Sequence, residues 1–406
     1  MLAVKPDKKL FSTETCRQIF AALRNERRFA LAVSGGSDSM AMLHLAKSLS
    51  RNFCVLTVDH GLRAESAAEA QQVGAWCEML GIEHHILPWQ GEKPKTGFQA
   101  KARTARYDLM TDWCRAHDVG WLLTAHTLDD QAETVVMRQA RTDTDESLAG
   151  IWQTRDWNGI EIHRPLLGTR RADLRQHLLS VGQPWIDDPS NSDQKFERVR
   201  VRNSLVHSDD RILELAQVAS DAGQASRILS ASARDWLVHN LDVFPEGYGL
   251  VCRKSFLDCD PHMQRRLIQN MIMMFGSGSP VDPEACILIS KWICVGARSR
   301  RTLGGAFVAS QKHRILFGRE AGRISDEEIF LQASGEILWD GRFQIIAEPG
   351  ARVVPVAGVN GLARRKDLPA MVQSALPAVL TAKGAVIVPH LGVGSGAKAK
   401  FMRRLR

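Results

Sequence analysis

Long hydrophobic runs are missing from the sequence. No window approaches the roughly 18 consecutive apolar residues of a membrane span, and the N-terminal segment MLAVKPDKKLFSTETC has charges where a signal peptide needs its apolar core. With 44% apolar and 24% charged residues, the composition does not indicate disorder. A chain of 406 residues is too long for one ordinary core, so we expect two or three domains in a cytoplasmic enzyme or binding protein.

Paired cysteines are missing as well. The eight cysteines are dispersed, several lie in apolar runs, and none forms a CxxC pair. This pattern argues against a disulfide scaffold, a zinc site and an iron–sulfur cluster. It predicts reduced, mostly buried thiols.

Negative charge is in deficit. The chain has 53 lysines and arginines against 45 aspartates and glutamates, which gives a formal net charge of +8. This balance favours a polyanionic partner, although a moderately basic enzyme that binds only small anions would have a similar composition.

The first half of the chain alternates between apolar runs and stretches with helical spacing. The apolar runs are FALAV (29–33), CVLTV (54–58), HHILPW (84–89) and WLLTA (121–125). Repeated strand–helix units predict an α/β fold, a parallel sheet with helices on both faces. The continuous apolar character of the strands fits burial on both sides. Ligands of such sheets bind outside the carboxyl ends of the strands.

The segment SGGSDS, residues 34–39, follows the first predicted strand. Its two glycines allow a sharp turn and a close approach of backbone amides to a ligand, its serines add donors, and the next helix points its positive end at the loop. Neither a Walker A loop nor a GxGxxG motif is present. We predict an anion-binding loop made of Ser34, Gly35, Gly36, Ser37, Asp38 and Ser39. A carboxylate beside a phosphate site indicates that Asp38 is a magnesium ligand.

This loop resembles the pyrophosphate loop of the N-type ATP pyrophosphatases, which cleave ATP between the α and β phosphates and adenylate a carbonyl oxygen. Five further segments resemble, in order and spacing, the tRNA(Ile)-lysidine synthetases. They are VDHGLRAESAAEA (58–70), AKARTARYDLM (100–110), AHTLDDQAETVVMRQAR (125–141), RPLLGTRRADL (164–174) and DDPSN (187–191). The match covers residues 29–203, about half of the chain, and implies an adenine nucleotide alpha hydrolase-like fold.

The resemblance implies a reaction. Such enzymes adenylate the C2 carbonyl oxygen of the wobble cytidine in the CAU anticodon of isoleucine tRNA, and the amine of free L-lysine then displaces AMP. The implied cofactors are ATP and Mg²⁺, and the loop at 34–39 would hold the leaving pyrophosphate. A glycine-rich loop that the family usually has after the position of Arg141 is replaced here by RTDTDESLAG, and Val199 stands where the family tends to have Asn.

The segment HTLDDQAET opens a predicted helix. Its spacing places His126, Asp129, Asp130 and Glu133 within two turns on one broad face, which predicts a cation site. Asp129 and Asp130 are candidates to bind magnesium or to deprotonate the lysine amine, with Asp130 as the second metal ligand, and Glu133 would anchor the helix or the lysine. The alternative is that these acidic residues only offset the helix dipole.

Other residues of the resembling segments are candidates for substrate contacts. We expect His60 and Arg63, at a strand end, to face the nucleotide or the cytosine. Arg103 and Arg106 share a helix with Tyr107, and the resemblance indicates that Arg103 contacts a phosphate or the carbonyl, although a solvated basic face is the alternative. Asp188 and Asn191 read equally well as turn builders.

The second half of the chain gives weaker signals. Residues 205–241 have helical spacing, residues 299–322 predict two β-rich runs around Gly304 and Gly305 with a basic bias, and the segment from Ile337 resembles the small C-terminal domain of the larger lysidine synthetases. We expect a catalytic domain over 1–208, linker helices and a middle domain over 209–325, and a tRNA-binding domain over 330–406. The basic segment AKAKFMRRLR would contact phosphates of a tRNA, although a solvated basic tail is the alternative.

Three rival functions share the loop or its surroundings. A tRNA thiolase ordinarily relies on cysteines, and the lack of a CxxC pair counts against it. A small-molecule amide ligase is disfavoured because no amidotransferase domain accompanies the loop. A non-catalytic RNA-binding protein with a relic nucleotide pocket would not need Asp38, Asp129 and Asp130. The sequence therefore favours an ATP-dependent tRNA-modifying ligase.

Overall fold

The structure is a computed structural model. It describes residues 11–21, 28–49, 52–61, 65–90, 98–141, 145–187, 194–206, 208–296, 299–325, 329–332 and 335–402. The chain divides into two compact units, Met1–Ser226 and Arg227–Arg406. None of the helices in the described ranges has both the length and the apolarity needed to cross a membrane.

The described residues of the first unit form a six-stranded sheet. Its strands are β1 (Phe29–Ala32), β2 (Phe53–Asp59), β3 (Glu83–Pro88), β4 (Trp121–Leu123), β5 (Thr154–Trp157) and β6 (Ile160–His163). The strand order is β3-β2-β1-β4-β6-β5. The four strands predicted from the sequence are confirmed, and they run parallel together with β6.

The predicted parallel sheet is confirmed, and it carries one further strand, β5, that pairs antiparallel with β6. The two strands are joined by a tight turn in which Asn158 has φ 52° and Gly159 has φ 84°. Two consecutive left-handed residues at an Asn-Gly pair are typical of the turn that connects a β-hairpin. The exposed strand β5 has no apolar run, so its sequence gave no strand signal.

Helices cover both faces of this sheet, as predicted. The helices described before α8 are α1 (Thr13–Ile19), α2 (Ser37–Lys47), α3 (Ser66–Met79), α4 (Phe98–Ala116), α5 (Leu128–Gln139), α6 (Arg171–Ser180) and α7 (Glu197–Leu205). Side chains alternate between the faces along a strand. Leu31 and Val55 pack with α2, α3 and α6, whereas Ala30 and Leu56 pack with α4 on the opposite face.

The second unit is described from α8 onward. The predicted helical segment is confirmed as α8 (Asp209–Asn240), which begins in the first unit. Later helices are α9 (Arg253–Leu257), α10 (Pro261–Phe275), α11 (Pro283–Cys294) and α12 (Ala370–Ser374). One described sheet contains β7 (Leu241–Phe244), β8 (Tyr248–Cys252), β9 (Arg300–Leu303), β10 (Ala306–Ser310) and β11 (Arg314–Arg319). The predicted β-rich runs around Gly304 and Gly305 are therefore confirmed.

Two smaller sheets follow in the described part of this unit. One contains β12 (Ile329–Phe330), β15 (Arg352–Pro355), β16 (Pro377–Leu380) and β17 (Val386–Ile387), and the other contains β13 (Glu336–Trp339), β14 (Phe343–Ile346) and β18 (Lys398–Phe401). A single cluster of buried side chains includes Phe307 and Leu316 as well as Phe343 and Val379, so the larger sheet and both smaller sheets share a core. The division of the chain into three domains stays a prediction.

The first sheet fixes the place of the candidate site. Strands β1, β2, β4 and β6 are parallel, so they end at one edge, called here the carboxyl edge. The segments that leave this edge begin at Val33, His60, Thr124 and Arg164. They carry most of the residues for which the sequence predicts a function.

Candidate active site at the carboxyl edge

The loop after β1 is a tight turn with its own internal hydrogen bonds. Ser39 Oγ donates to the Gly36 carbonyl at 2.9 Å, and the Ser34 N–H donates to Ser39 Oγ at 3.2 Å. Gly35 has φ +85°, and a Cβ atom there would lie 2.7 Å from Cδ1 of Ile186. Only glycine fits this position without strain.

The same loop begins α2. Gly36 is the N-cap residue of α2, and no side chain caps the first turn. The first N–H groups of a helix have no partner within it, and together with the helix dipole they attract anions. Arg175 Nε lies 3.3 Å from Ser37 Oγ and adds a positive charge beside the loop.

Three carboxylates, Asp38, Asp130 and Glu133, converge on one guanidinium and are called here the carboxylate cluster. Arg171 Nε donates to Asp38 Oδ2 at 2.9 Å, its Nη2 donates to Asp130 Oδ1 at 3.0 Å, and its Nη1 donates to Glu133 Oε1 at 3.1 Å. The three carboxylates come from α2 and α5, and the guanidinium comes from the start of α6. The predicted magnesium ligands Asp38 and Asp130 are thus brought together around one cation, which in this structure is an arginine.

Helix α7 supplies two more guanidiniums to the carboxylate cluster. Arg198 Nε donates to Glu133 Oε2 at 2.7 Å and its Nη2 donates to Asp130 Oδ1 at 2.9 Å. Arg202 Nε donates to Glu133 Oε1 at 2.8 Å. Glu133, whose side chain is only 2% exposed, therefore contacts three arginines.

Asp130 and Asp129 have different surroundings although they are neighbours. Asp130 Oδ2 accepts hydrogen bonds from the backbone N–H and the hydroxyl of Thr127, which completes a capping box at the start of α5. Asp129 Oδ2 accepts from the backbone N–H of Arg171 at 2.8 Å and from Arg170 Nε at 3.3 Å. Asp129 and Asp130 lie in the first turn of α5, where a negative charge offsets the helix dipole. They also bind cationic side chains from other helices.

Burial and ion pairing compete in setting the acidity of this cluster. Burial raises the pKa of Asp38, and the charge of Arg171 does not cancel that effect. Burial would raise the pKa of Asp130 too, but Arg171 and Arg198 outweigh it and hold that pKa below its ordinary value. Burial would lower the pKa of Arg171, but Asp130, Asp38 and Glu133 raise it, so the guanidinium stays charged. Among the described residues, no group of three or more His, Cys, Asp or Glu side chains is arranged to hold a metal ion.

A second group of charges lies around Tyr107 on α4. Arg103 and Arg106 lie with Cζ at 5.2 Å and 5.5 Å from the centroid of the Tyr107 ring. Arg164, which follows β6, is 3% exposed, and its Nη1 donates to the carbonyl of Trp152 at 2.6 Å. We call Arg103, Arg106 and Arg164 the arginine pocket. Burial would raise the pKa of Tyr107, but these three arginines together lower it.

His126 lies between the two groups of charges. It precedes the N-cap of α5, and its Nδ1 lies 3.0 Å from Oγ1 of Thr124. Burial lowers the pKa of His126; Asp130 opposes this effect, and the three arginines of the arginine pocket add to it. The imidazole is therefore neutral at neutral pH.

The remaining predicted site residues are only partly described. His60 follows β2, and its ring lies 5.9 Å from the ring of Trp89 in an edge-to-face contact. Asp59, its neighbour, accepts hydrogen bonds from the Gly61 N–H at 2.9 Å and from the Ser66 hydroxyl. Arg63, Asp188, Asn191 and the loop residues 142–144 lie outside the described residues.

No role was predicted from the sequence for four arginines of the site, Arg170, Arg171, Arg198 and Arg202. Arg170 and Arg171 lie in RPLLGTRRADL, and the other two lie in ERVRVRN. The repeated arginines in these two segments could have indicated a charged site. Their carboxylate partners, however, are distant in the chain. Val199, between two of these arginines, is a buried core residue in α7.

The chain is similar in sequence to known proteins. A family model described as a PP-loop domain matches residues 9–209. A tRNA(Ile)-lysidine synthase of Ruegeria pomeroyi is 32% identical over 390 residues, covering 92% of this chain and 91% of that protein. One of Mesorhizobium japonicum is 44% identical over 356 residues, covering 82% of this chain and 76% of that protein. Among solved structures, a U34-tRNA thiolase of Methanococcus maripaludis overlaps weakly, with a TM-score of 0.44 and 17% identity over 52% of this chain and 78% of that one.

The matched domain, the sheet and the loop after β1 define the class of the protein, a PP-loop protein that uses ATP. The extent and identity of the matches narrow it further. The chain belongs to the tRNA(Ile)-lysidine synthase family, whose members are ATP-using, tRNA-modifying ligases.

Proposed function

We propose that this protein ligates L-lysine to C2 of the wobble cytidine in the CAU anticodon of isoleucine tRNA. ATP would be converted to AMP and pyrophosphate through an adenylated tRNA. The observation that carries the proposal is the 32% identity, across 92% of the chain, to a protein named tRNA(Ile)-lysidine synthase. We also propose that it acts in the cytoplasm, with a catalytic domain over 1–208, a middle domain over 209–325 and a tRNA-binding domain over 330–406.

In the first step, the C2 oxygen of the cytidine attacks the α-phosphorus of ATP. The bond between that phosphorus and the bridging oxygen breaks, and pyrophosphate leaves with the electron pair. Residues 34–39 would hold the leaving group through the uncapped first turn of α2 and the serine hydroxyls. Arg175, beside Ser37, would add a positive charge to that interaction.

In the second step, the lysine amine attacks C2, the bond from C2 to the adenylate oxygen breaks, and AMP leaves. The amine must lose a proton, and Asp129 and Asp130 remain the candidates to accept it. The carboxylate cluster suits the binding of a lysine ammonium because its members already bind three guanidiniums of the same charge. Arg103, in the arginine pocket, would contact the phosphate or the carbonyl, and His60 would face the nucleotide or the cytosine, as would Arg63.

Mg²⁺ fits the donor atoms present. Magnesium is usually bound by one or two carboxylates together with substrate phosphates. Asp38 and Asp130 approach the same guanidinium beside residues 34–39, called here the phosphate loop. These two residues would hold the ion, which would neutralise phosphate charge when bound.

Thiolase chemistry is a weaker proposal because the thiols of the first unit are poorly placed for it. Burial raises the pKa of Cys54 to about 11 and the pKa of Cys77 and of Cys114 to about 12. These thiols lie in the hydrophobic core and stay protonated at neutral pH, and the thiolate is the reactive form. A relic pocket without catalysis is disfavoured by the ordered contacts of Asp38 and Asp130.

The test is incorporation of labelled lysine into tRNA. Purified protein, ATP, labelled lysine and total tRNA should give label in RNA, and the label should require ATP that ends as AMP and pyrophosphate. Incorporation from a sulfur donor instead would replace the proposal with thiolation, and formation of ADP would exclude adenylation.

A further inference from the structure

The arginine pocket differs from the carboxylate cluster in having no carboxylate counter-ion within the part of the chain that the structure describes. Arg171, Arg198 and Arg202 each pair with carboxylates. In contrast, none of the three arginines of the arginine pocket forms an ion pair with a carboxylate of another described residue. Their neighbours are instead a phenol, a neutral imidazole, Arg155 and one another.

Arg164 is the most deeply placed of the three. It is 3% exposed, and its Nε has no hydrogen-bond partner among the described residues although Nη1 binds the Trp152 carbonyl. A buried guanidinium with an unsatisfied N–H and no carboxylate partner is costly. Such an arrangement is expected where a ligand supplies the missing negative charge.

The position of the arginine pocket separates it from the phosphate loop. The pocket combines the first half of α4 with the segment that leaves β6, so it lies at the carboxyl edge. Strand β4 lies between β1 and β6, and at about 4.8 Å per strand the start of the β6 segment is roughly 10 Å across the sheet from the loop. The loop and the pocket are therefore placed to bind different groups.

We propose that Arg164, with Arg103 and Arg106, binds a backbone phosphate of the RNA strand next to the cytidine that reacts. This inference rests on the proposed function for the identity of the RNA. Three guanidiniums match the several negative charges that successive phosphates of one strand bring, whereas free lysine brings one carboxylate. The β and γ phosphates of ATP, which leave as pyrophosphate, are accounted for by the loop at 34–39.

The experiment measures binding of an RNA hairpin that carries the anticodon loop of isoleucine tRNA to the full-length protein. Single neutral methylphosphonate groups replace the phosphates around the wobble cytidine one at a time. One such replacement should weaken binding by roughly ten-fold, about the effect of losing one charge-assisted contact. Arg164→Gln should weaken binding of the unmodified hairpin by a similar factor and lower the salt slope by about 0.7.

Two comparisons make the result specific. In Arg164→Gln, the methylphosphonate that affects the wild type should have no further effect, because the two changes remove the same contact. The control is Arg115→Gln, which changes an exposed arginine in the last turn of α4 and should leave binding unchanged. Should Arg164→Gln fail to fold, hairpin binding is measured with Arg164→Lys instead. The methylphosphonate series on the wild type then shows whether a single phosphate contributes to binding.

Three outcomes would overturn the proposal. They are equal binding of every methylphosphonate hairpin by the wild type, a loss in Arg164→Gln confined to ATP affinity, and a loss confined to lysine affinity. Hairpin binding is measured without turnover. The phosphate contact and the proposed lysine ligation can therefore be refuted independently of each other. A protein that incorporates no lysine but loses affinity with one neutral phosphate would refute the proposed function and keep the phosphate contact.

Discussion

Arg171 Nε donates to Asp38 Oδ2 at 2.9 Å although 133 residues separate the two in the sequence. The contact ties the start of α6 to the first turn of α2, directly beside the phosphate loop. The same guanidinium holds Asp130 and Glu133, so one side chain organises the carboxylate cluster.

Replacing Arg171 with methionine should destabilise the first unit. The substitution keeps most of the side-chain volume but leaves buried carboxylates without their central cation, which typically costs about 3 kcal/mol. Urea unfolding at neutral pH measures the loss. The control is Arg211→Met, which breaks an exposed pair with Glu214 and should cost less than about 1 kcal/mol. Equal losses in both variants would show that the Arg171 contacts contribute nothing special.

Asp38→Asn should abolish lysine incorporation with little effect on folding. The change is isosteric, and because burial raises the pKa of Asp38, removing its charge costs little stability. The lost negative charge is the one proposed to hold magnesium beside the phosphates. Turnover assays and thermal melts are compared with those of Asp112→Asn, an exposed residue of α4. Full turnover in Asp38→Asn would reduce the loop to a helix cap.

Gly35→Ala should distort the phosphate loop. The residue has φ +85°, and the new Cβ would lie 2.7 Å from Cδ1 of Ile186, so strain of about 1 to 2 kcal/mol is expected. Because the strained loop no longer presents its donors correctly, ATP affinity, measured by calorimetry, should fall. Gly120→Ala is the matched control, because its Cβ meets nothing within 4 Å. Unchanged ATP affinity in Gly35→Ala would contradict the assignment of the loop.

His126→Gln should flatten the acid side of the stability profile. Burial lowers the pKa of His126 below its ordinary 6.5, so the unfolded chain binds a proton first as the pH falls. Stability due to this residue is therefore present above pH 6.5 and is lost below it. Urea unfolding between about pH 7 and pH 5 should show a slope smaller by up to one proton in the variant. Identical slopes would mean that His126 is protonated in the folded protein.

The exposed lysines of β18 test the proposed role of the C-terminal half. Truncation at residue 330 is a poor test because the sheets of the second unit share one hydrophobic cluster. Lys398→Gln combined with Lys400→Gln leaves that cluster intact, since both side chains are exposed. If each contacts a tRNA phosphate, the slope of log affinity against log salt should fall by about 0.9 per lysine. Arg115→Gln is the control. An unchanged slope in the lysine variant would show that Lys398 and Lys400 are solvated and do not contact tRNA. The tail residues Arg403, Arg404 and Arg406, also proposed to bind tRNA, lie outside the described residues.

Local patterns explain what the sequence could predict. The apolar runs predicted β1 to β4, and the SGGSDS segment predicted the turn at Gly35, because both depend on neighbouring residues. The spacing of HTLDDQAET likewise placed Asp130 and Glu133 on one side of α5.

Contacts between distant segments explain what it could not. Arg171 meets Asp130 across 41 residues and Arg198 meets Asp130 across 68, and no periodicity encodes such pairs. Strand β5 was missed because its residues are mostly exposed and polar. The position of Arg164 between Trp152 and Tyr107 depends on β6, which was not predicted either.

The balanced charges of the carboxylate cluster affect how the protein is made. Three carboxylates meet three guanidiniums of the same chain, so their mutual repulsion is cancelled before any nucleotide arrives. Small metal-dependent domains often stay unfolded until their ion is supplied. A newly synthesised copy of this chain carries its own counter-ions, so we expect its folding to require neither magnesium nor ATP.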